Sequence, residues 1–176
     1  MSSLVIWLTG LPGSGKSTLA DGLRNRFPDF VILRMDEMRK IVTPSPTYSE
    51  EERDMVYRAL VFTAKTLSDL GHRVIIDATA NRRKWRDLAR QLIPGFREVY
   101  LKCSPASCEE REKARTDTRG APRNIYQKGR AGSPVPGIQA PYEAPLCPEL
   151  ALETDTLTPE EAVSAIAGLI REKDPL

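Results

Sequence analysis

The chain has 176 residues, the length of one domain, and a chain of this size buries roughly 70% of its unfolded surface, so it needs no disulfide or metal to fold. Hydrophobic residues make up 40% and charged residues 28%, which excludes a disordered, collagen-like or low-complexity protein. The 26 basic and 24 acidic residues leave a net charge of +2, too balanced for a general nucleic-acid binder.

No apolar run approaches the ~18 residues of a membrane span, and the N-terminus lacks the basic start of a signal peptide, so the expected location is the cytoplasm. Cys103, Cys108 and Cys147 show no CxxC spacing and are expected as reduced thiols. The bases are 18 Arg against 8 Lys, a bias that suits bidentate phosphate contacts and equally reflects GC-rich codons.

Residues 4–8 are a short apolar run and read as a buried parallel strand. Residues 17–27 come next as a helix with Leu19, Leu23 and Phe27 on one face, and residues 30–33 as a second strand. Residues 43–48 carry two prolines and read as a loop. Ser49 and Glu52 have capping-box spacing and open a helix to about Leu70, stopped by Gly71. Residues 73–77 form a third strand, 82–92 a helix ended by Pro94 and Gly95, 96–101 a fourth strand and 105–115 a further helix. Residues 116–139 are irregular, basic and rich in Gly and Pro. Residues 149–153 are a candidate fifth strand, and Thr158 caps a last helix with Pro159 at its first position. Strands alternating with helices predict an α/β fold: a three-layer sandwich with a five-stranded parallel sheet, helices on both faces and ligands at the strands' carboxyl ends. One domain is expected over residues 1–176, with a basic lid at about 108–139.

The strongest motif is Gly10-Leu11-Pro12-Gly13-Ser14-Gly15-Lys16-Ser17, with Thr18 next, which fits the phosphate-binding pattern G-x-x-x-x-G-K-[ST] between a strand and a helix. Its glycines let backbone N–H groups turn toward a phosphate, and the helix N-terminus adds partial positive charge. Lys16 reaches the β- and γ-phosphates of ATP in such a loop, and the Ser17 hydroxyl is a Mg²⁺ ligand. The motif makes this a P-loop protein, and acidic residues further along the chain point to a kinase. Asp36, just past the second strand, is placed to take the proton of an acceptor hydroxyl, with Arg39 to hold that acceptor's anionic group. A helix-start acid beside an exposed arginine is the plainer alternative. Asp77 closes an apolar strand and is the second candidate Mg²⁺ ligand.

Two basic clusters stand out. Between residues 108 and 132, Arg111, Lys113, Arg115, Arg119, Arg123, Lys128 and Arg130 face four acids, which suits a lid closing over phosphates. Arg82, Arg83, Lys84 and Arg86 surround Trp85, either as an anion or nucleic-acid contact or as a solvated helix face.

The sequence resembles the adenylylsulfate kinases, P-loop enzymes that move the γ-phosphate of ATP to the 3′-hydroxyl of adenosine 5′-phosphosulfate (APS). The likeness runs over nearly the whole chain. Its most specific part is Pro141-Tyr142-Glu143-Ala144-Pro145, then the run from Pro148 to Asp155, then Thr158-Pro159-Glu160-Glu161, with Arg130-Ala131-Gly132 earlier. The resemblance implies a catalytic base at Asp36, with Lys16 on the phosphates. It implies acceptor contacts at Asp36, Arg39, Tyr48, Arg53, Lys128, Arg130 and Ile138, and a nucleotide-base contact at Arg111. ATP, Mg²⁺ and small nucleotide substrates are the implied ligands, and a homodimer the implied assembly.

The chain departs from the family at several positions. Arg34 replaces the first Asp of the family's DGDxxR, and Val56 an asparagine. Ala80 stands where the family has a serine once proposed as a phosphorylated intermediate, which leaves direct transfer from ATP as the route. Val135 replaces a Phe that stacks on the acceptor's adenine, a contact worth ~1–3 kcal/mol. Asp77-Ala78-Thr79-Ala80-Asn81 looks instead like the D-x-T-N segment of polynucleotide-kinase-like enzymes. The same chemistry on another hydroxyl acceptor (a nucleotide conjugate or a polynucleotide 5′-end) therefore stays open, as does a non-catalytic nucleotide-binding protein.

Overall fold

Side chains alternate between the two faces of a strand, and strand β1 (Val5–Thr9), buried at every residue, uses both faces. Val5 and Trp7 enter one apolar cluster, while Ile6 and Leu8 enter another. The computed structural model that shows this describes residues 4–117 and 121–171. Four more strands join β1 in parallel: β2 (Phe30–Arg34), β3 (Arg73–Asp77), β4 (Phe96–Lys102) and β5 (Leu150–Glu153). Their order is β2-β3-β1-β4-β5, so β1 is central and β2 is an edge.

Helices cover both faces. Helix α1 (Lys16–Arg26) and the last helix, Pro159–Arg171, pack on the Ile6 side with Leu19, Leu23, Ile166 and Ile170. A Cβ on Gly22 would come within 2.7 Å of Val163 Cγ2, so glycine permits that close approach. The opposite face is covered by two helices, Glu50–Asp69 and Arg83–Leu92. They bring Val56, Tyr57, Leu60, Trp85 and Ala89 against Trp7, Val74 and Ile76. Tyr57 stacks on Trp85 at 4.1 Å between centroids, and Trp7 meets Phe96 edge-on at 6.2 Å. Such aromatic burial dominates a core: truncating one of these rings to alanine costs about 3–5 kcal/mol.

The aromatic cluster also fixes the strand ends. The Trp7 Nε1–H donates to the Ala78 carbonyl at 2.9 Å, and the Ala80 N–H donates to the Tyr57 hydroxyl at 2.8 Å. Ala80 is held at φ 44°, in the left-handed region, just beyond β3.

In chain order the helices are α1, α2 (Met35–Val42), α3 (Glu50–Asp69), α4 (Arg83–Leu92), α5 (Pro105–Ala114), α6 (Ile125–Arg130) and α7 (Pro159–Arg171). Three sequence expectations are corrected. The irregular stretch 116–139 contains α6. α2 comes directly after β2, where no helix was delimited. The Ser49 capping box forms only in half: Ser49 Oγ accepts from the Glu52 N–H at 3.1 Å, but the Glu52 carboxylate turns to Thr47 and Arg39 instead. Thr158 and Glu161 form both halves of such a box at the start of α7. Arg119, one of the expected lid cations, lies outside the described residues. Cys103, Cys108 and Cys147 are free thiols.

Candidate active site

The strands' carboxyl ends open into a cavity of about 710 Å³, within the range of small-molecule sites. Its floor is the loop between β1 and α1. Gly13 there has φ +86°, and a Cβ on it would come within 2.2 Å of the Cys108 carbonyl oxygen, so α5 presses directly on the loop. Gly15, at φ 100°, is the N-cap of α1. Lys16 opens the helix and is buried, its Nζ donating to the carbonyls of Gly10 and Leu11, both at 2.9 Å. Burial lowers its pKa, against the pull of Asp77 and Asp36. Pro12, Gly13, Gly15, Lys16, Ser17 and Thr18 line the cavity, while Gly10, Leu11 and Ser14 complete the loop behind them. The Ser14 N–H donates to the Leu11 carbonyl at 3.1 Å, and among the described residues its buried Oγ has no hydrogen-bond partner.

Asp36 sits in the first turn of α2 and lines the same cavity. Burial raises its pKa and neighbouring Asp77 raises it further. A carboxyl so destabilised in its charged form is suited to take up a proton. Arg39, one turn later, is buried and donates from Nη1 to Glu52 Oε1 at 2.7 Å. Its guanidinium lies 5.1 Å from the centre of the Tyr48 ring. Tyr48 adopts φ 56°, a strained conformation of the kind found at ligand sites. Arg53 lines the cavity but spends its donors on the protein: Nε on the Tyr48 carbonyl at 3.0 Å, Nη1 on Asn81 Oδ1 at 3.4 Å, and Nη2 on the Pro134 carbonyl. It ties Tyr48 to Asn81 and to the segment at Pro134.

The cations expected to form a lid are divided among the described residues. Lys128 and Arg111 line the cavity, and Arg111 Nη2 donates to the Thr154 carbonyl at 2.6 Å. Arg130 does not. Its side chain is 59% exposed and grips the Glu109 carboxylate with both terminal nitrogens. That contact, with help from Lys113, holds the pKa of Glu109 at about 2. Ile138 is also absent from the cavity wall. It packs on the lid, where its Cδ1 would lie 2.8 Å from a Cβ on Gly129.

Ser17 and Asp77 line the cavity together. One hydroxyl and one carboxylate form an all-oxygen set, which suits a Mg²⁺ that takes its remaining ligands from phosphate and water. Among the described residues, no cluster of three or more His, Cys, Asp or Glu forms a closed metal cage. The donor set therefore fits a cation that arrives with the nucleotide.

The Arg82–Arg86 cluster has a structural role. Arg82 pairs with Glu143 at 3.1 Å, Lys84 with Asp54 at 2.9 Å and Arg86 with Glu98 at 2.6 Å. The segment that carries the family likeness holds the strand ends. The Tyr142 hydroxyl meets Thr9 Oγ1 at 2.9 Å, and Asn81 Nδ2 donates to the Pro141 carbonyl at 3.0 Å. Sequence reasoning missed Glu52, Tyr57 and Arg34. Glu52 carried a signal only for a helix cap, and Arg34 only as a departure from the family pattern.

A family profile described as adenylylsulphate kinase matches residues 2–153. A probable adenylyl-sulfate kinase of Halalkalibacterium halodurans is 36% identical over 186 residues, covering 99% of this chain and 86% of the relative. An adenylyl-sulfate kinase of Rippkaea orientalis is also 36% identical, over 96% of this chain and 92% of its own length. Among solved structures, the Mycobacterium tuberculosis APS kinase CysC in complex with AMPPNP and APS superposes with a TM-score of 0.84 at 28% identity. That match covers 97% of this chain and 98% of the other.

Proposed function

The chain belongs to the adenylylsulphate kinase family, and on that premise we propose that its cleft transfers the γ-phosphoryl group of ATP to the 3′-hydroxyl of APS. The observation that carries this reading is the convergence of Lys16, Ser17, Asp36, Arg39 and Asp77 on one cavity. The phosphate loop binds ATP, with Arg111 at its base. Arg39, Tyr48 and Lys128 hold the acceptor on the other side of Asp36.

In the transfer, the 3′-oxygen bonds to the γ-phosphorus as the bond from that phosphorus to the β–γ bridging oxygen breaks, and ADP leaves. Asp36 accepts the proton of the 3′-hydroxyl. Lys16 and Lys128 offset charge on the phosphoryl oxygens, where preorganised cations act most strongly. Mg²⁺, when held by Ser17 and Asp77, neutralises phosphate charge. Ala80 has no hydroxyl to phosphorylate, so transfer is direct.

The same reading takes residues 1–176 as one domain, the cytoplasm as its location and a homodimer as its assembly. Among the described residues, no helix is long and apolar enough to cross a membrane. The balanced charge and the paired cations of α4 argue against a nucleic-acid partner.

Val135 supports a second reading. It lines the cavity as a small aliphatic group, and a wall without an aromatic ring suits an acceptor that lacks a stacked base. An acceptor panel separates the two. ATP consumption is measured with APS, with other nucleotide conjugates and with a 5′-hydroxyl oligonucleotide. APS is expected to support the highest kcat/KM, and preference for another acceptor overturns the first reading.

A further inference from the structure

Arg34 stands at the last position of edge strand β2, and its backbone register partner on β3 is Asp77. The two side chains therefore leave neighbouring strands at the same level, and their meeting is built into the sheet. Arg34 Nη1 donates to Asp77 Oδ2 at 3.0 Å. Its Nη2 pairs with Asp21 on α1, and its Nε lies 3.6 Å from Glu37 on α2. One guanidinium thus meets three carboxylates from three elements. Only a planar fork with nitrogens along several edges can do this; a lysine ammonium cannot reproduce it.

The elements tied are those that matter to the cleft. α1 begins with Lys16 and Ser17, β3 ends in Asp77 and α2 carries Asp36 and Arg39. The Arg34 side chain is 12% exposed and that of Asp77 is 7% exposed, so the contact is sheltered from water. A charge-assisted bond is directional, so a sheltered carboxylate held through one oxygen loses rotational freedom and its second oxygen is left to other partners. Arg34 is not itself part of the cavity wall, whereas Asp77 is.

We propose that Arg34 is a positioning residue that holds Asp77 Oδ2 and so presents Oδ1 to the divalent cation of the bound nucleotide, in register with Ser17. This rests on the reading of Asp77 as a metal ligand. Partners that orient a metal's ligands typically contribute about tenfold to hundredfold in metal affinity, and Arg34 is expected to act in that range.

The test is calorimetric titration of ADP into the intact protein, first in EDTA and then over a range of free Mg²⁺. In Arg34→Gln the Mg²⁺ concentration that gives half of the affinity gain is expected to rise about tenfold or more, while ADP affinity in EDTA stays within about twofold of the parent. The EDTA arm reports folding and phosphate-loop integrity, so a purely structural role for Arg34 would lower affinity there. Arg34→Lys keeps the cation and is the milder variant; it is expected to shift the midpoint in the same direction by a smaller factor. Unmoved midpoints in both Arg34 variants overturn the positioning role. Asp77→Asn, measured alongside, separates the two layers. A midpoint that moves in Asp77→Asn but in neither Arg34 variant removes only the positioning role. One that stays put in Asp77→Asn removes the metal assignment and the proposal with it.

Discussion

The Tyr126 hydroxyl donates to the Pro12 carbonyl at 2.7 Å, so the lid helix α6 is tied directly to the phosphate loop. The bond spans 114 residues of sequence and joins the segment after α5 to the loop between β1 and α1. Tyr126→Phe removes the donor and keeps the buried ring. A net loss of about 1 kcal/mol in stability is expected. A severalfold rise in the KM for ATP should accompany it, with kcat changed less. Steady-state kinetics together with thermal unfolding check both, and an unchanged KM would show that lid and loop act independently.

Asp36 is expected to matter to chemistry far more than to binding. Asp36→Asn removes the proton acceptor but keeps shape and size, so kcat should fall by about 10²–10⁴. ADP affinity should stay within about twofold. Comparable losses of both would remove Asp36 from the role of base.

The raised pKa of Asp36 also has a sign in stability. A carboxyl whose folded pKa lies above its unfolded value stabilises the fold most when protonated, and that contribution is lost as pH rises through the folded pKa. At neutral pH the charged, buried Asp36 therefore costs stability, and Asp36→Asn should unfold at a higher temperature than the parent. The gap should close as pH falls below the ordinary carboxylate value of about 3.9. Thermal melts across pH test this. Turnover should run oppositely, with kcat/KM falling as acid protonates Asp36 at a pH above that ordinary value.

Arg39 and Glu52 form a buried pair at 2.7 Å, both side chains 9% exposed. Glu52→Ala leaves an uncompensated buried guanidinium, which costs about 3–5 kcal/mol. For a chain of this length, Tm should fall by roughly 10 °C. It should also free Thr47 and loosen the loop that holds Tyr48, raising the KM for APS. A melting temperature within about 2 °C of the parent would show that the pair contributes little.

The five strands and the phosphate loop were legible because apolar runs and glycine spacing are local signals. Strand β3 was placed at its observed bounds, since RVIID is short, apolar and closed by a charge. α6 was missed because its six residues, IYQKGR, are too few to show a helical period and sit among glycines and prolines. Charge alone could not tell which lid cations face inward: Lys128 lines the cavity, while Arg130 turns to Glu109. The Arg82–Arg86 cluster left a binding contact and a solvated helix face both open, because its partners Glu50, Glu98 and Glu143 are distant or unmarked in sequence. Arg34 read only as a departure from the family pattern, because its meaning depends on the register of β2 against β3.

Product formation from ATP, Mg²⁺ and APS, resolved by mass over time, decides whether the cleft phosphorylates APS. One 3′-phosphoadenosine 5′-phosphosulfate per ADP is the expected result, with the phosphorylated product lost in Asp36→Asn. ADP accumulating while APS remains untouched would contradict it.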